Sequence, residues 1–372
     1  MLVPLAAATV ERCGAKAATL ATLLRGGFPV PEGIVVPFDF AGDLVPPVAD
    51  WLESIGGPPV AVRSSAANED GTLASAAGQH DSFLGVHGVA AVVDAVRACR
   101  SSVWSARATA YRAGGAAPAM AVIVQRHLDA EVAGVMFTRA DGSTVIESSW
   151  GLGPSVVEGR VTPDSYLVAD GSVTRTIADK HTSLDRNGLG LVVRRVPPAQ
   201  RRTATLSDAT AFQLADLART VTAVLGAPQD IEWALVDGVP WLLQARPITA
   251  EPPTPTTAHP APLTGIPGSH GTATGPARVV RGPADFPTVR PGDILICPHT
   301  DPAWTPLLSI AAGVVTETGG TLSHAAIVAR EKHIPAVLAV EAATTTIPNG
   351  ATVTINGTNG AVQLTGCARG GS

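Results

Sequence analysis

Between Asp230 and Arg246 the chain sets two acids, an amide and a guanidinium at alternate positions, a group able to hold a metal and a phosphate together. Even-numbered positions read Asp230, Glu232, Ala234, Val236, Leu242, Gln244 and Arg246, whereas odd-numbered ones read Ile231, Trp233, Leu235, Trp241, Leu243 and Ala245. Period-two alternation puts the odd set against a core and the even set on the other face of a hairpin. Asp237-Gly238 supplies the turn. For Glu232 to face Gln244, and Asp230 to face Arg246, the loop must hold an odd number of residues. A three-residue Asp237-Gly238-Val239 connection with Gly238 left-handed meets that need. Carboxylate and amide oxygens suit Mg²⁺, and arginine suits a pair of phosphate oxygens. The alternative at this level is an amphipathic hairpin whose polar face is merely wet, since alternation is common in sheets.

A second candidate is His324. Gly313 to Thr316 reads as a strand, Glu317-Thr318-Gly319-Gly320-Thr321 as a loop, and Ser323 to Arg330 as a helix. Strand, glycine loop and helix make a phosphate-binding layout, because helix N-terminal amides and the helix dipole favour an anion. A neutral histidine in the first turn could carry a phosphoryl group there. The plainer reading is a structural histidine bonded to a backbone carbonyl.

The elements that must position these residues alternate between helix and strand, which gives a mixed α/β (α+β) class. Ala15 to Leu24 reads as a helix stopped by Gly26-Gly27, and Ile34 to Val36 as a strand. Pro59 to Arg63, Met120 to Gln125, Glu131 to Thr138 and Val145 to Glu147 read as further strands. Val89 to Arg112 has no internal Gly or Pro and reads as one long helix. Ser207 caps a helix whose apolar face is Leu214, Leu217, Val221, Val224 and Leu225, with Gly226 as its stop. Glu251 to Pro262 is rich in proline and threonine and reads as a semi-rigid linker, extended at ~3.1 Å per residue. The expected division is a first domain over 1–249, a linker over 250–264, a second α/β domain over 265–366 and a tail over 367–372.

Composition narrows the function classes. The 372 residues are 45% hydrophobic and 15% charged, with a formal net charge of −5. Such a chain can bury a core, and it offers no basic field for nucleic acid or an anionic membrane. No apolar run approaches the ~18 residues of a membrane helix, and the N-terminal stretch lacks the positive region of a signal peptide. The four cysteines fall at no metal-ligand spacing and read as free thiols in a reducing cytoplasm.

Taken in order, a series of short stretches resembles the phosphoenolpyruvate-utilising enzymes, the group of pyruvate phosphate dikinase, phosphoenolpyruvate synthase and rifampicin phosphotransferase. In the first part the stretches are 14–20, 27–31, Ala61-Val62-Arg63-Ser64-Ser65-Ala66, Ala77-Gly78-Gln79, 124–126, 133–138, Ile146 to Gly153, Val161 to Asp164, Gln229 to Trp233 and Leu243 to Ile248. In the second they are Thr300 to Pro306, Thr318-Gly319-Gly320, Ser323 to Arg330 and Ile334 to Val337. The resemblance implies an ATP-grasp nucleotide-binding domain followed by a smaller swivelling phosphohistidine domain. It implies that Lys16 and Arg63 hold ATP phosphates, with Asp230 and Arg246 beside them. Glu232 and Gln244 would be Mg²⁺ ligands, Gln125 would meet adenine, and Gly78-Gln79 would close over the phosphates. His324 would be phosphorylated, ATP ending as AMP with the β-phosphoryl group on the ring.

The chain also departs from that group. Its members carry a third domain for the acceptor, and the stretch from Ile248 to Gly265 has no room for one. Three readings follow: a phosphotransferase acting on a small-molecule acceptor such as a natural product or antibiotic; the ATP and phosphohistidine subunit of a split system whose acceptor domain is a separate protein; or a phosphohistidine carrier without acceptor chemistry of its own.

Overall fold

The computed structural model describes residues 1–67, 82–105, 119–188, 190–248, 251, 253 and 261–366. Gly78, Gln79, most of the linker and the tail from 367 lie outside the described residues. Among those described, strands and helices alternate as the sequence suggests, and the class is mixed α/β.

The first sheet has five strands: β1 (Val3–Pro4), β2 (Gly33–Val36), β3 (Val60–Ala66), β4 (Ser82–Val86) and β5 (Met120–Arg126), in the order β1-β2-β5-β3-β4. Helices α1 (Val10–Arg25), α2 (Val45–Ser54) and α3 (Val89–Ser101) accompany it. The expected long helix from Val89 is shorter than its composition allows, because at Ser102 the chain tightens into a 3₁₀ turn over Ser102–Trp104. The remainder, up to Arg112, lies outside the described residues.

The second sheet begins with β6 (Val132–Thr138), β7 (Thr144–Trp150), β8 (Asp164–Ala169) and β9 (Ser172–Thr176). After a separate hairpin, β10 (Thr182–Asn187) with β11 (Gly190–Arg195), it is completed by β12 (Gln229–Val236) and β13 (Val239–Pro247). Helix α4 (Asp208–Leu225) starts where Ser207 accepts the Thr210 amide and stops at left-handed Gly226, as its capping residues predict. Its buried side, with Ala211, Leu214, Ala218 and Val221, joins α1 and the inner residues of β6, β7, β8 and β12 in one apolar cluster.

Residues 263–366 form an eight-stranded sheet: β14 (Leu263–Thr264), β15 (Ile266–Ser269), β16 (Thr272–Val279), β17 (Ile294–Cys297), β18 (Gly313–Thr316), β19 (Ala336–Leu338), β20 (Thr352–Asn356) and β21 (Ala361–Gly366). Strands β16, β17, β18 and β19 run parallel in that order. The crossover from β18 to β19 is α5 (His324–Glu331), so the histidine loop leaves the carboxyl end of a parallel strand, where open α/β sheets bind ligands.

A buried ion pair ties loops to the second sheet. Lys180 Nζ lies 2.5 Å from Asp164 Oδ1, and both side chains are fully buried. Asp164 also accepts the amides of Ala178 and Thr205, each at 2.9 Å. Removing one partner of such a pair leaves a charge stranded in the core. Lys180→Met should therefore lower unfolding free energy by about 3–5 kcal/mol, measured by urea denaturation; a loss below about 1 kcal/mol would mean the pair contributes no more than a surface one.

Candidate functional site

The hairpin pairs as the chemistry requires, by a different device. Asp230 stands opposite Arg246 and Glu232 opposite Gln244. The turn, however, holds two residues, Asp237 and Gly238, both with positive φ, and Val236 pairs with Val239. Parity is restored by a β-bulge: Trp233 pairs with Leu242, Glu232 with Gln244, and Leu243 is the extra residue. The expected faces change accordingly. Leu242 and Ala245 join Ile231 and Trp233 in the core, whereas Leu243 turns to the polar side. Its backbone carbonyl is used: Arg63 Nη1 donates to Leu243 O at 2.5 Å.

Lys16 is placed by a break in α1. Gly14 has φ of +81°, and a Cβ there would lie 2.6 Å from the Ser65 carbonyl, so glycine is required. Ser65 stitches the break, accepting the Ala17 amide at 3.2 Å and donating to Cys13 O at 2.6 Å. The helix restarts just before Lys16, close above β3, and the lysine is only 6% exposed. Arg63, on β3, donates through Nη2 to Gln244 Oε1 at 2.7 Å and to Glu232 Oε2 at 3.3 Å.

The described candidate site residues except Asp230 line one cavity of about 740 Å³, the size of a small-molecule site. Lys16, Arg63, Gln125, Glu232, Gln244 and Arg246 surround it, and His324 lines it too. Gln125 donates Nε2 to Pro31 O at 2.7 Å. Asp230 stands behind: its Oδ2 takes Arg246 Nε at 2.9 Å and Nη2 at 2.7 Å. Burial pushes the Asp230 carboxyl up, and Arg246 pulls it back.

His324 opens α5 and is 3% exposed. Its Nδ1 lies 2.9 Å from Thr300 Oγ1 and its Nε2 3.4 Å from Thr305 Oγ1. Both threonines lie in the Thr300–Pro306 stretch, where no local pattern assigns them a task. His127, Glu158 and Arg160 on the cavity wall belong to no local pattern either, so no sequence signal marks them. Burial holds the His127 imidazole below the ordinary histidine range.

Among the described residues no three His, Cys, Asp or Glu side chains meet as a ready-made metal site. The donor set does fit Mg²⁺ brought in with a nucleotide. Glu232 and Gln244 offer paired hard oxygens, and Asp230 Oδ1 is buried without a hydrogen-bond partner among the described residues.

Comparison with known proteins shows the family. The family described as pyruvate phosphate dikinase, AMP/ATP-binding domain, matches residues 34–262. That described as PEP-utilising enzyme, mobile domain, matches residues 289–360. A probable phosphoenolpyruvate synthase of Methanothermobacter thermautotrophicus is 39% identical over 318 residues, which cover 82% of this chain and 46% of that one. The phosphoenolpyruvate synthase of Pyrococcus furiosus is 38% identical, covering 82% of this chain and 40% of its own. The chain thus spans less than half the length of these two relatives. Among solved structures, the D-alanine–D-alanine ligase of Bacillus anthracis aligns over 63% of this chain and 56% of its own at 10% identity and a TM-score of 0.34.

The bulge carbonyl is a charge-assisted acceptor for Arg63, a bond of about 1.5–3 kcal/mol. Deleting Leu243 regularises the ladder, keeps Glu232 opposite Gln244 and removes that acceptor. ATP affinity measured by equilibrium dialysis should fall at least about tenfold while circular dichroism stays that of the folded chain; unchanged affinity would mean that the carbonyl has no part in binding.

Proposed function

Since this chain belongs to the pyruvate phosphate dikinase family of AMP/ATP-binding domains and carries a phosphoenolpyruvate-utilising mobile domain, we propose that it is an ATP-dependent phosphotransferase working through phospho-His324. We read residues 1–249 as its nucleotide domain and 265–366 as its phosphohistidine domain, joined by the 250–264 linker. The observation that carries the reading is that His324 lines the same cavity as Lys16, Arg63, Glu232, Gln244 and Arg246.

Lys16, Arg63 and Arg246 bind and orient the phosphates, and their charges are fixed before the nucleotide arrives. Arg63 and Arg246 are pinned by Gln244 and Asp230, so they need little rearrangement on binding. Glu232 and Gln244 would hold Mg²⁺, which neutralises phosphate charge when bound. Gly78-Gln79 is assigned to the loop over the phosphates and Gln125 to the adenine end.

With its proton on Nδ1, 2.9 Å from Thr300 Oγ1, the ring keeps its lone pair on Nε2. Attack by Nε2 on the β-phosphorus forms a P–N bond and breaks the bond to the α-phosphate oxygen. AMP departs with that electron pair. The transferred group still carries the γ-phosphoryl, which must pass to water or phosphate before a single β-phosphoryl remains on the ring. A ring 3% exposed inside a nucleotide-filled cavity cannot meet a second substrate in place. The phosphohistidine unit therefore swings away on its linker, a step of the μs–ms class. The acceptor is a small molecule, either a pyruvate-type acid, as the relatives' names suggest, or a natural product.

Incubation with ATP and Mg²⁺ should yield AMP by nucleotide chromatography and an acid-labile phosphoryl adduct by intact mass. His324→Ala should lose both, and ADP as the sole product would instead indicate an ordinary kinase. Glu232→Ala and Gln244→Ala should each abolish the adduct in a folded protein; an undiminished adduct would reject them as metal ligands.

A further inference from the structure

The histidine loop meets the first part of the chain through a contact that the chemistry above does not use. Glu147, on β7, is 2% exposed and lies 174 residues away from Thr321 in sequence. Its Oε1 accepts the Thr321 amide at 2.7 Å and the Thr321 hydroxyl at 2.7 Å, and its Oε2 accepts the Leu322 amide at 3.1 Å. Three donors from the loop that leads into His324 thus converge on one carboxylate of the nucleotide-side sheet. The approach is close enough to demand glycine, since a Cβ at Gly320 would lie 2.3 Å from Glu147 Oε2.

Three further contacts surround this one. Leu322 sits in an apolar cluster with Val135, Phe137, Val145, Val156 and Val161. Thr318 donates its hydroxyl to Gly159 O at 2.6 Å. Arg330, in the last turn of α5, donates to Thr321 O at 2.8 Å; burial pushes its guanidinium pKa down to about 10, and the charges of Asp230 and Glu147 oppose that shift. The helix needs this outside help: Ser323, its N-cap, makes no side-chain capping bond and donates to Gly320 O instead.

We propose that Glu147 is the positioning residue that seats the histidine loop, setting His324 against the nucleotide while allowing the unit to leave. A carboxylate suits this task better than an apolar plug alone. Burial pushes the Glu147 carboxyl up while its Thr321 and Leu322 donors pull it down, and the directional bonds from those donors fix the loop's register. The cost of desolvating the charge offsets much of their strength, so the seat is specific without being permanent. On release, water replaces the amides at the carboxylate. Glu147 touches neither nucleotide nor ring on this account; it acts through the loop.

The inference rests on the phosphohistidine reading for its kinetic part but not for its structural part. Hydrogen exchange of residues 317–323 is measured without nucleotide, and the rate of adduct formation at saturating ATP is measured separately, with ATP affinity from equilibrium dialysis. Glu147→Ala should speed exchange of the Thr321 and Leu322 amides at least tenfold and slow adduct formation at least tenfold, with ATP affinity within twofold of wild type. Glu147→Gln, which keeps an acceptor, should fall between, and Leu322→Ala should reproduce the loosening from the apolar side. Unchanged exchange in Glu147→Ala would overturn the proposal. So would a loss of ATP affinity in step with the loss of rate, because that is the mark of a general structural role. A wild-type chain that forms no adduct would sink the phosphotransferase reading, and the exchange data would still decide the seat.

Discussion

On the proposed reading, an imidazole buried beside a bound triphosphate can exchange a phosphoryl group with that triphosphate and with nothing else while it stays there. His324 is held in this way, buried, with a threonine at each ring nitrogen. For a phosphotransferase working through this ring, as proposed, reaction and release are one problem, because the loop that places the ring must also give it up. Close to the ring the contacts between the two parts of the chain are largely polar, from Thr318 to Gly159 and from Thr321 and Leu322 to Glu147, with Leu322 as the apolar member. Polar groups regain solvation when they part, so such a surface fixes orientation more than it adds affinity.

The cavity's charges are arranged before any nucleotide enters. Arg63 spans Glu232, Gln244 and the carbonyl of Leu243, and Arg246 is locked on Asp230. Each cation is aimed by its neighbours. The same contacts keep the acids from facing one another without compensation. A bulge of one residue makes this possible, since it puts Leu243 and Gln244 on the same side of the hairpin while Leu242 and Ala245 remain in the core.

Much of this was legible in the residues. The alternation from Asp230 to Arg246 foretold which side chains would meet, and Ser207 and Gly226 foretold the ends of a helix. What misled was the source of parity. A turn and a bulge both shift register by one, and the sequence pattern does not say which is present. The helix after Val89 was overextended because nothing in its composition marks the 3₁₀ turn at Ser102. Glu147 could not be assigned a task at all. On its strand it is one carboxylate among serines, and its meaning comes from a loop that only the fold brings to it. Thr300 and Thr305 were similar, since their relation to the ring depends on how β17 and the following turn pack on α5.

The most direct test of the central claim is the structure of the full chain with Mg²⁺ and a non-hydrolysable ATP analogue. The account predicts His324 Nε2 about 3–3.5 Å from the β-phosphorus and in line with the bond to the α-phosphate oxygen. A triphosphate lying elsewhere, or protein side chains standing between the ring and the β-phosphorus in the docked chain, would contradict it.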